Sequence, residues 1–361
     1  MEDIRIINNH TSKKIAIQMI ICCIIVVTYH STGYKYYNLN QSLIDSIAKL
    51  VVDLKNPLCQ LVALPSFCFF SGFLFYKNID NPKFPYDSIK KRLFTLLLPY
   101  LLWNFIWTLF MVVISFFPAI TSQMSTIKVF SWSIREFVWG VLLHKYCGVT
   151  WYLLYMFVYA LFSPVFCRIL KHKTISTFVI MILVLISPVD SIVFDYKVLI
   201  WPLYLYLLGA YYSIHHFDYI NNNKINNYNK TIIAMFAILM LVGSQWKQTG
   251  YIYSLLYNCF RVIGFYLAWY VLNLFYEKIR RRKWMDYYFF IYVFHNIPLL
   301  CVDKILRFLM PDNWIGMLLN HFFGVITVVL MAIISARILE QFVPKLWFLL
   351  TGRRQSKIIT E

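Results

Sequence analysis

The sequence predicts an all-α polytopic membrane protein, and three observations support this fold class. Hydrophobic residues make up 60% of the 361 residues and charged residues only 14%, whereas a soluble chain has about 25% charged residues. Long apolar runs follow one another along the chain, separated by short polar segments. The basic residues concentrate in every second polar segment, which is the pattern of loops on one side of a membrane.

The apolar runs predict about ten transmembrane helices. A helix needs about 20 largely apolar residues to cross the roughly 30 Å of hydrocarbon in a bilayer. In chain order, the predicted spans are 15–34, 57–76, 93–117, 149–167, 174–190, 196–214, 231–248, 251–276, 286–306 and 314–336. The fifth and the seventh of these are short for a span.

The distribution of positive charge predicts the orientation of the helices. With ten spans, 23 of the 34 Lys and Arg residues fall on the side that holds both termini, and ten fall on the opposite side. Because cytoplasmic loops carry the excess of basic residues, we expect both termini to be cytoplasmic and the protein to lie in the plasma or inner membrane. Arg261, inside the eighth span, belongs to neither side.

Two segments need a separate interpretation. Segment 126–143 contains Arg135 and Glu136, and we expect it to lie along the outer interface or to form a re-entrant piece, because a crossing would break the alternation of charge. Residues 338–350 predict an interfacial helix anchored by Trp347 and Phe348, within a C-terminal segment, 338–361, that ends in a cytoplasmic tail. No loop is long enough for a soluble domain, so we expect residues 1–361 to form a single membrane domain.

Charge and cysteine content argue against two other classes. The net charge of +18 would suit a nucleic-acid partner, but the basic residues lie in short clusters beside apolar runs and form no basic face interleaved with aromatic residues. We expect them to contact anionic membrane lipids instead. The eight cysteines form no CxxC pair and have no histidines at zinc-site spacing, so no metal site is predicted.

Three ionisable residues at membrane depth are candidates for a functional site. His30 ends the first span near the outer leaflet, where a neutral imidazole can take a proton from a hydroxyl group; an interfacial hydrogen bond to a loop is the structural alternative. His295 lies near the middle of the ninth span, and Pro298 one turn later can open that helix. Arg261 can bind a phosphate or carboxylate, or form a structural ion pair.

Two further motifs have both a functional and a structural interpretation. Ser71 and Gly72 lie in an aromatic stretch of the second span, where Ser71 is a candidate nucleophile and small residues also allow close helix packing. The basic residues Lys90, Lys91 and Arg92 precede the third span. They can bind the phosphates of a nucleotide-containing donor, or anchor the helix end at the membrane surface.

Five motifs together resemble the acyltransferase-3 family of membrane O-acyltransferases, in its branch that modifies sugars and cell-surface glycans. They are IIVVTYHS at 24–31, FCFFSGFLF at 67–75, KKRLFTLLLPYLLWN at 90–104, TWYLLYMFV at 150–158 and FFIYVFHNIPLL at 289–300. Each motif is weak alone, but their order and their placement on the spans are specific. The resemblance covers residues 15–335, nearly the whole chain.

The resemblance implies an enzyme that transfers an acyl group, usually acetyl, from cytoplasmic acyl-coenzyme A to a hydroxyl group of a sugar or polysaccharide. It implies His30 as the essential catalytic group, and we expect Tyr29 or a carboxylate such as Asp53 to orient this histidine. The other candidates, by role, are His295 and Ser71 for catalysis; Lys91, Arg92 and Arg261 for the coenzyme; and Trp103, Asn104, Trp151 and Tyr152 for the acceptor.

One position departs from the family pattern. Many relatives have a basic residue eleven positions before the histidine of the first span, whereas Met19 stands there in this chain. Contact with the coenzyme then requires a substitute, for which Lys14, Arg261 and the basic cluster at 90–92 are the candidates.

Two other functions remain open from the residues. A transporter or flippase for a sugar or lipid-linked glycan would also use intramembrane residues such as Arg261 and His295, but the chain shows no internal repeat of the kind that transporters can have. A glycan polymerase or ligase usually has a large outer loop, and no loop of this sequence is long enough to suggest one.

Overall fold

The computed structural model describes residues 6–37, 42–117, 132–189, 200–221, 230–246 and 250–352. Within these ranges the chain is helical and contains no strand, so the predicted all-α class is confirmed. The helices of the first half are α1 Asn9–His30, α2 Leu43–Asp53, α3 Leu64–Tyr76, α4 Tyr86–Arg92, α5 Leu98–Ser115, α6 Ile134–Leu142, α7 Trp151–Leu161 and α8 Ser163–Leu170. Those of the second half are α9 Lys173–Ile186, α10 Ile200–His215, α11 Phe217–Asn221, α12 Lys230–Gln245, α13 Tyr251–Leu272, α14 Tyr288–Phe294, α15 Asn296–Leu309, α16 Trp314–Phe342 and α17 Pro344–Thr351.

Two long helical stretches contain a widened turn. The π-helical segment Leu58–Ala63 leads into α3, and a second one, Leu93–Leu97, joins α4 to α5. Helical structure therefore continues over Leu43–Tyr76 and over Tyr86–Ser115. Such turns are frequent near functional sites, and each of these two adjoins a motif singled out in the sequence.

Several of the predicted spans coincide with helices that can cross a membrane. In the described residues, five stretches are long and apolar enough, namely Asn9–Tyr36, Leu43–Tyr76, Tyr86–Ser115, Tyr251–Leu272 and Trp314–Phe342. Two more pass the same test as bent pairs, Gly148–Leu161 with Ser163–Leu170 at 64° and Lys283–Phe294 with Asn296–Leu309 at 82°. The three other predicted spans fall on α9, α10 and α12, which have 14, 16 and 16 residues. The described helices thus support a membrane protein with five to seven long spans.

The described part of segment 126–143 is too short to cross a membrane. Helix α6 has 9 residues, which is about 14 Å at 1.5 Å per residue, against roughly 30 Å of hydrocarbon. Its Glu136 is buried and accepts hydrogen bonds from the Lys145 ammonium and the Tyr146 hydroxyl. These bonds tie α6 to the loop before α7. Residues 126–131 lie outside the described residues.

The C-terminal segment differs from the expected interfacial helix in the surroundings of its tryptophan. Helix α16 continues past the predicted end of the last span at 336, and α17 follows it almost directly. Trp347 is only 5% exposed and packs against the rings of Tyr287 and Phe290, with centroids 5.6 and 5.4 Å apart. Trp347 therefore attaches α17 to the protein and is not a lipid-exposed anchor. The expected tail at 353–361 lies outside the described residues.

Helices α3 and α10 approach each other very closely. A methyl group added at Gly72 would clash with the backbone carbonyl of Tyr206, and one added at Gly209 would clash with that of Phe69. Each helix thus presents a glycine to the backbone of the other, as small residues do where membrane helices pack tightly. The packing interpretation of Gly72 is supported, and this contact fixes the helix that carries Ser71.

Candidate active site

His30 is the last residue of α1, and its ring lies where two helices meet. The N-terminus of α1 is capped by Asn8, whose side chain accepts a hydrogen bond from the Thr11 N–H over 2.7 Å, and the apolar run that follows continues the helix to His30. The partly exposed His30 ring packs edge-on against Tyr29, with centroids 5.1 Å apart. It also contacts His295, with centroids 5.3 Å apart and planes inclined by 41°. Two histidines that are distant in the sequence therefore form a pair.

His295 occupies the break between α14 and α15, where the helix bends by 82°. Pro298, in the first turn of α15, has no N–H to bond the carbonyl of Phe294, which explains a break at this point. The His295 ring is fully buried, and its Nδ1 lies 2.7 Å from the Tyr292 carbonyl oxygen. Because a carbonyl only accepts, Nδ1 carries the proton and Nε2 keeps its lone pair in the neutral ring. No described residue forms a hydrogen bond with Nε2.

A buried carboxylate holds α15 against the end of α1. Asp303 is fully buried, and its Oδ2 accepts the backbone N–H groups of Thr32 and Gly33 over 2.8 and 2.9 Å. The Ser31 hydroxyl donates to the same oxygen over 3.3 Å. Asp303 lies about two helical turns after His295 on α15. The contacts of Asp303 therefore fix the position of His295 relative to the end of α1.

Two more buried polar groups bind the residue directly after His30. The Lys55 ammonium donates a hydrogen bond to the Ser31 carbonyl oxygen, and the His321 Nδ1 lies 3.1 Å from the Ser31 hydroxyl. Lys55 and His321 are 4% and 2% exposed, so these bonds are shielded from solvent. The end of α1 is thus held by side chains from α15, α16 and the turn after α2.

A cavity of about 360 Å³ lies between α1, α3, α7 and the segment Lys283–Phe294. Its lining follows α1 from Ser12 to Met19 and α3 from Phe75 to Phe67, with Ile7 just before the start of α1. At 1.5 Å per residue, the two helical stretches are about 10 and 12 Å long, so the cavity extends along the helices. Its volume is within the range of small-molecule sites.

The two ends of the cavity differ in chemistry. One end, the cavity mouth, is lined by Arg92, Arg281 and Asp286, and an Arg281 guanidinium N–H donates to Asp286 over 2.6 Å. Guanidinium groups suit phosphates because they can bind them in a bidentate manner. The other end, the inner end, is lined by the aromatic rings of Phe67, Tyr152 and Tyr292. The cavity thus leads from a charged mouth to an aromatic inner end.

The structure brings three of the predicted site residues to this cavity. Ser71, Arg92 and Tyr152 line it, as does Met19. The two histidines do not line it. The His295 ring lies beyond the inner end, 6.3 Å from the Tyr292 ring, and His30 follows one ring further on.

Two of the predicted or alternative coenzyme contacts, Lys91 and Lys14, lie outside the lining. Lys91 is exposed beside Arg92 near the mouth. Lys14 is 2% exposed, and its ammonium lies 3.5 Å from the centroid of the Trp269 ring. A cation over an aromatic face is a favourable arrangement, so the position of Lys14 has a structural explanation.

Arg261 is buried on α13, away from the cavity. Its guanidinium carbon lies 4.5 and 5.0 Å from the ring centroids of Trp201 and Tyr257, and the group donates to the Asn258 side chain. The structure therefore places this arginine among aromatic and amide partners. Of the three substitutes expected for the basic residue at position 19, only the cluster at 90–92 contributes a side chain to the cavity.

The remaining acceptor-binding candidates contact other helices and do not line the cavity. The Trp103 indole N–H donates to the Leu350 carbonyl oxygen over 3.0 Å. The Asn104 side chain accepts a hydrogen bond from the Thr150 hydroxyl over 3.1 Å. Trp151 packs against Trp201, with centroids 6.0 Å apart.

Several residues of the site were missed by the sequence reasoning. Arg281 and Tyr292 line the cavity, and Asp303, Lys55 and His321 hold the end of α1. Asp303 is the carboxylate that binds the end of α1, whereas we expected Asp53 as the carboxylate beside His30. An acidic residue two turns after His295 in an apolar span is a signal that could have identified it. Arg281 lies in a run of basic residues, and nothing in that run distinguishes it from its neighbours.

A family model that describes an acyltransferase domain matches residues 20–337, which is most of the chain. The chain belongs to the acyltransferase-3 family. No curated protein and no solved structure matches it. The match includes both histidines and much of the cavity lining, so the candidate active site of this acyltransferase lies within the family domain.

Proposed function

We propose that this acyltransferase moves an acetyl group from cytoplasmic acetyl-coenzyme A to a hydroxyl group of a sugar or cell-surface polysaccharide, with His30 as the catalytic base. The observation that carries the proposal is the contact between the rings of His30 and His295. The His295 ring in turn lies beside Tyr292, which lines the inner end of an elongated cavity. A positioned imidazole is the commonest general base for a hydroxyl group.

The proposed membrane arrangement has ten spans, with the short helices α9, α10 and α12 among them, and both termini in the cytoplasm. This arrangement puts Arg92 and Arg281 at the cytoplasmic surface and His30 toward the outer leaflet of the cell membrane. The excess of basic residues on one side supports it. The donor then enters from the cytoplasm, and the glycan acceptor reaches His30 from outside.

The cavity is the proposed binding site of the donor substrate. Arg92 and Arg281 would bind the coenzyme phosphates at the mouth, where a phosphate would compete with Asp286 for Arg281. The long arm of the coenzyme would lie along the apolar lining of α1 and α3, beside Met19. This places the thioester at the inner end, next to Tyr292.

The proposed reaction step is a direct transfer. A ring nitrogen of His30 takes the proton of the acceptor hydroxyl, and the oxygen forms a bond to the thioester carbonyl carbon. The tetrahedral intermediate then collapses, the C–S bond breaks, and the coenzyme thiolate takes the proton from the His30 imidazolium. The His295 Nε2, which keeps its lone pair, would accept an N–H from that imidazolium and stabilise its charge.

Direct transfer is supported by the surroundings of Ser71, the candidate nucleophile. The Tyr152 hydroxyl donates its proton to the Phe67 carbonyl oxygen over 2.9 Å. The Ser71 hydroxyl, 2.6 Å away, must then donate to Tyr152, because each hydroxyl has a single proton. A serine nucleophile needs a base at this position, and a phenol that accepts through its oxygen is a poor one. We therefore assign Ser71 to the lining of the donor site.

Labelled acetyl-coenzyme A tests the proposal. Membrane vesicles with the full-length protein should transfer label to the glycan fraction, and His30→Ala should abolish the transfer while the protein still inserts and unfolds at the normal temperature in detergent. His172→Ala is the matched control, because His172 is exposed and belongs to no part of the site. Mass spectrometry of the labelled glycan then identifies the acceptor.

Two results would contradict the proposal. Full transfer by His30→Ala would remove the role of this imidazole as the base. Movement of glycan across the vesicle membrane in the absence of any acyl donor, with no label transferred when the donor is present, would indicate a carrier instead of an enzyme.

A further inference from the structure

We infer that the rings of Phe67, Tyr152 and Tyr292 form an end wall of the donor cavity that restricts the transferred group to a short acyl chain. The inference rests on the proposed function, since it requires an acyl thioester in the cavity. The three residues come from α3, α7 and α14, so three separate helices build the end wall.

The three rings are in mutual contact. Their centroids are 5.9 Å apart for Phe67 and Tyr152, 6.3 Å for Phe67 and Tyr292, and 6.2 Å for Tyr152 and Tyr292. These separations are those of aromatic rings in direct contact. An alkyl chain therefore has no passage between the three rings, and the acceptor must reach the thioester around the triangle, from the side of Tyr292 that faces His295.

Hydrogen bonds hold two of the three rings in place. The Tyr152 hydroxyl donates to the backbone carbonyl of Phe67 and accepts from Ser71. The Tyr292 hydroxyl donates to the backbone carbonyl of Val149. Moving either ring would leave a buried hydroxyl or carbonyl group unpaired, which is unfavourable. Only Phe67 is held by packing alone among these three, so it is the residue of choice for substitution.

The position of the end wall determines which part of the donor meets it. With the coenzyme phosphates held by the arginines of the mouth, the acyl group is the leading end of the molecule and points at the three rings. Each additional methylene group must displace a ring or draw the phosphates out of the mouth. One methylene too many in an apolar site lowers kcat/KM by about 10- to 200-fold, so the wall favours acetyl over longer chains.

Acyl donors of graded length test the inference. Vesicles with the full-length protein receive labelled acetyl-, butyryl- or hexanoyl-coenzyme A, and the initial rate of label transfer to total membrane glycan is measured for each. The unaltered protein should prefer acetyl. Phe67→Ala removes one ring and should raise the hexanoyl-to-acetyl rate ratio by at least about tenfold. Phe67→Leu, a milder change, should raise it less and serves if the alanine variant does not fold.

The matched control is Phe73→Ala on the same helix. Phe73 is fully buried and stacks on Phe217, with centroids 5.5 Å apart, but does not line the cavity. This variant loses the same ring, so it should reproduce any general loss of stability while leaving the chain-length ratio unchanged.

The outcomes separate the two proposals. Absence of transfer from every donor by the unaltered protein would refute the proposed function. Normal transfer with an unchanged ratio in the folded Phe67 variants would overturn the end wall and leave the function intact. An equal change of ratio in Phe73→Ala would also overturn it, because the effect would then not belong to the cavity.

Discussion

Replacing Asp303 by Asn tests whether one buried carboxylate keeps the two histidines in contact. The Oδ2 of Asp303 accepts two backbone N–H bonds, from Thr32 and Gly33, at 2.8 and 2.9 Å. A hydrogen bond to a charged group is worth about 1.5–3 kcal/mol and one to a neutral group about 0.5–1.5 kcal/mol. An amide oxygen can keep both bonds but without the charge, so we expect a loss of about 2 kcal/mol in the free energy of unfolding.

Asp303→Ala should cost more than Asp303→Asn. It leaves the two buried N–H donors without an acceptor, at about 1–3 kcal/mol each. The matched control is Asp312→Asn. The ion pair of Asp312 with Arg307 spans 2.9 Å, but the Asp312 side chain is 46% exposed, and exposed pairs contribute about 0–1 kcal/mol. Thermal unfolding in detergent should therefore show the largest loss of stability for Asp303→Ala, a smaller loss for Asp303→Asn and the smallest for Asp312→Asn.

Acetyl transfer provides the second measurement on the same variants. Asp303→Asn should lower kcat, because a displacement of about 1 Å at the reacting groups can cost about 100-fold in rate. The KM for acetyl-coenzyme A should stay unchanged, since Asp303 does not line the cavity proposed to bind the donor. Unfolding of Asp303→Asn at the same temperature as Asp312→Asn, or an effect confined to KM, would refute the reasoning.

Two further predictions concern the cavity mouth and the helix packing. Arg92→Gln or Arg281→Gln should each raise the KM for acetyl-coenzyme A about tenfold or more, because each loses a charged hydrogen bond to phosphate. Steady-state kinetics should show that kcat is retained. The control Lys91→Gln should show no such rise in KM, because the Lys91 side chain is exposed. Gly72→Ala should lower the unfolding temperature in detergent, because overpacking costs about 1–3 kcal/mol. Gly148→Ala should leave the unfolding temperature unchanged, since nothing lies within 4 Å of an added methyl group there. Equal effects on the unfolding temperature at both glycines would contradict the packing role of Gly72.

The membrane character and the helices that carry the motifs could be predicted because they depend on local apolar runs. The start of α1 shows the limit of this signal. The predicted span begins at 15, whereas the helix begins at Asn9, since the polar residues that precede the span continue the helix from the Asn8 cap. Hydropathy detects the membrane-embedded part of a helix and is insensitive to a polar extension.

The arrangement of the site could be predicted only in part. The motifs identified His30 and His295 separately, and Pro298 indicated the break beside His295. The contact between the two rings depends on the 82° bend between α14 and α15 and on the hydrogen bonds of Asp303 to the backbone after α1. Both are tertiary features. Arg261 is the opposite case. An intramembrane charge is a functional candidate by default, but the partners that decide its role, Trp201 and Tyr257, come from the fold.

The close approach of α3 and α10 determines which parts of the acyltransferase can adapt to a different donor. With Gly72 and Gly209 each facing the other backbone, α3 cannot move closer to α10, so the scaffold under the proposed donor site cannot yield in that direction. Any change in donor preference during evolution must then come from exchange of side chains on this scaffold, or from displacement of other helices that line the cavity. Relatives with bulkier donors should therefore keep both glycines and differ in the rings at the inner end of the cavity.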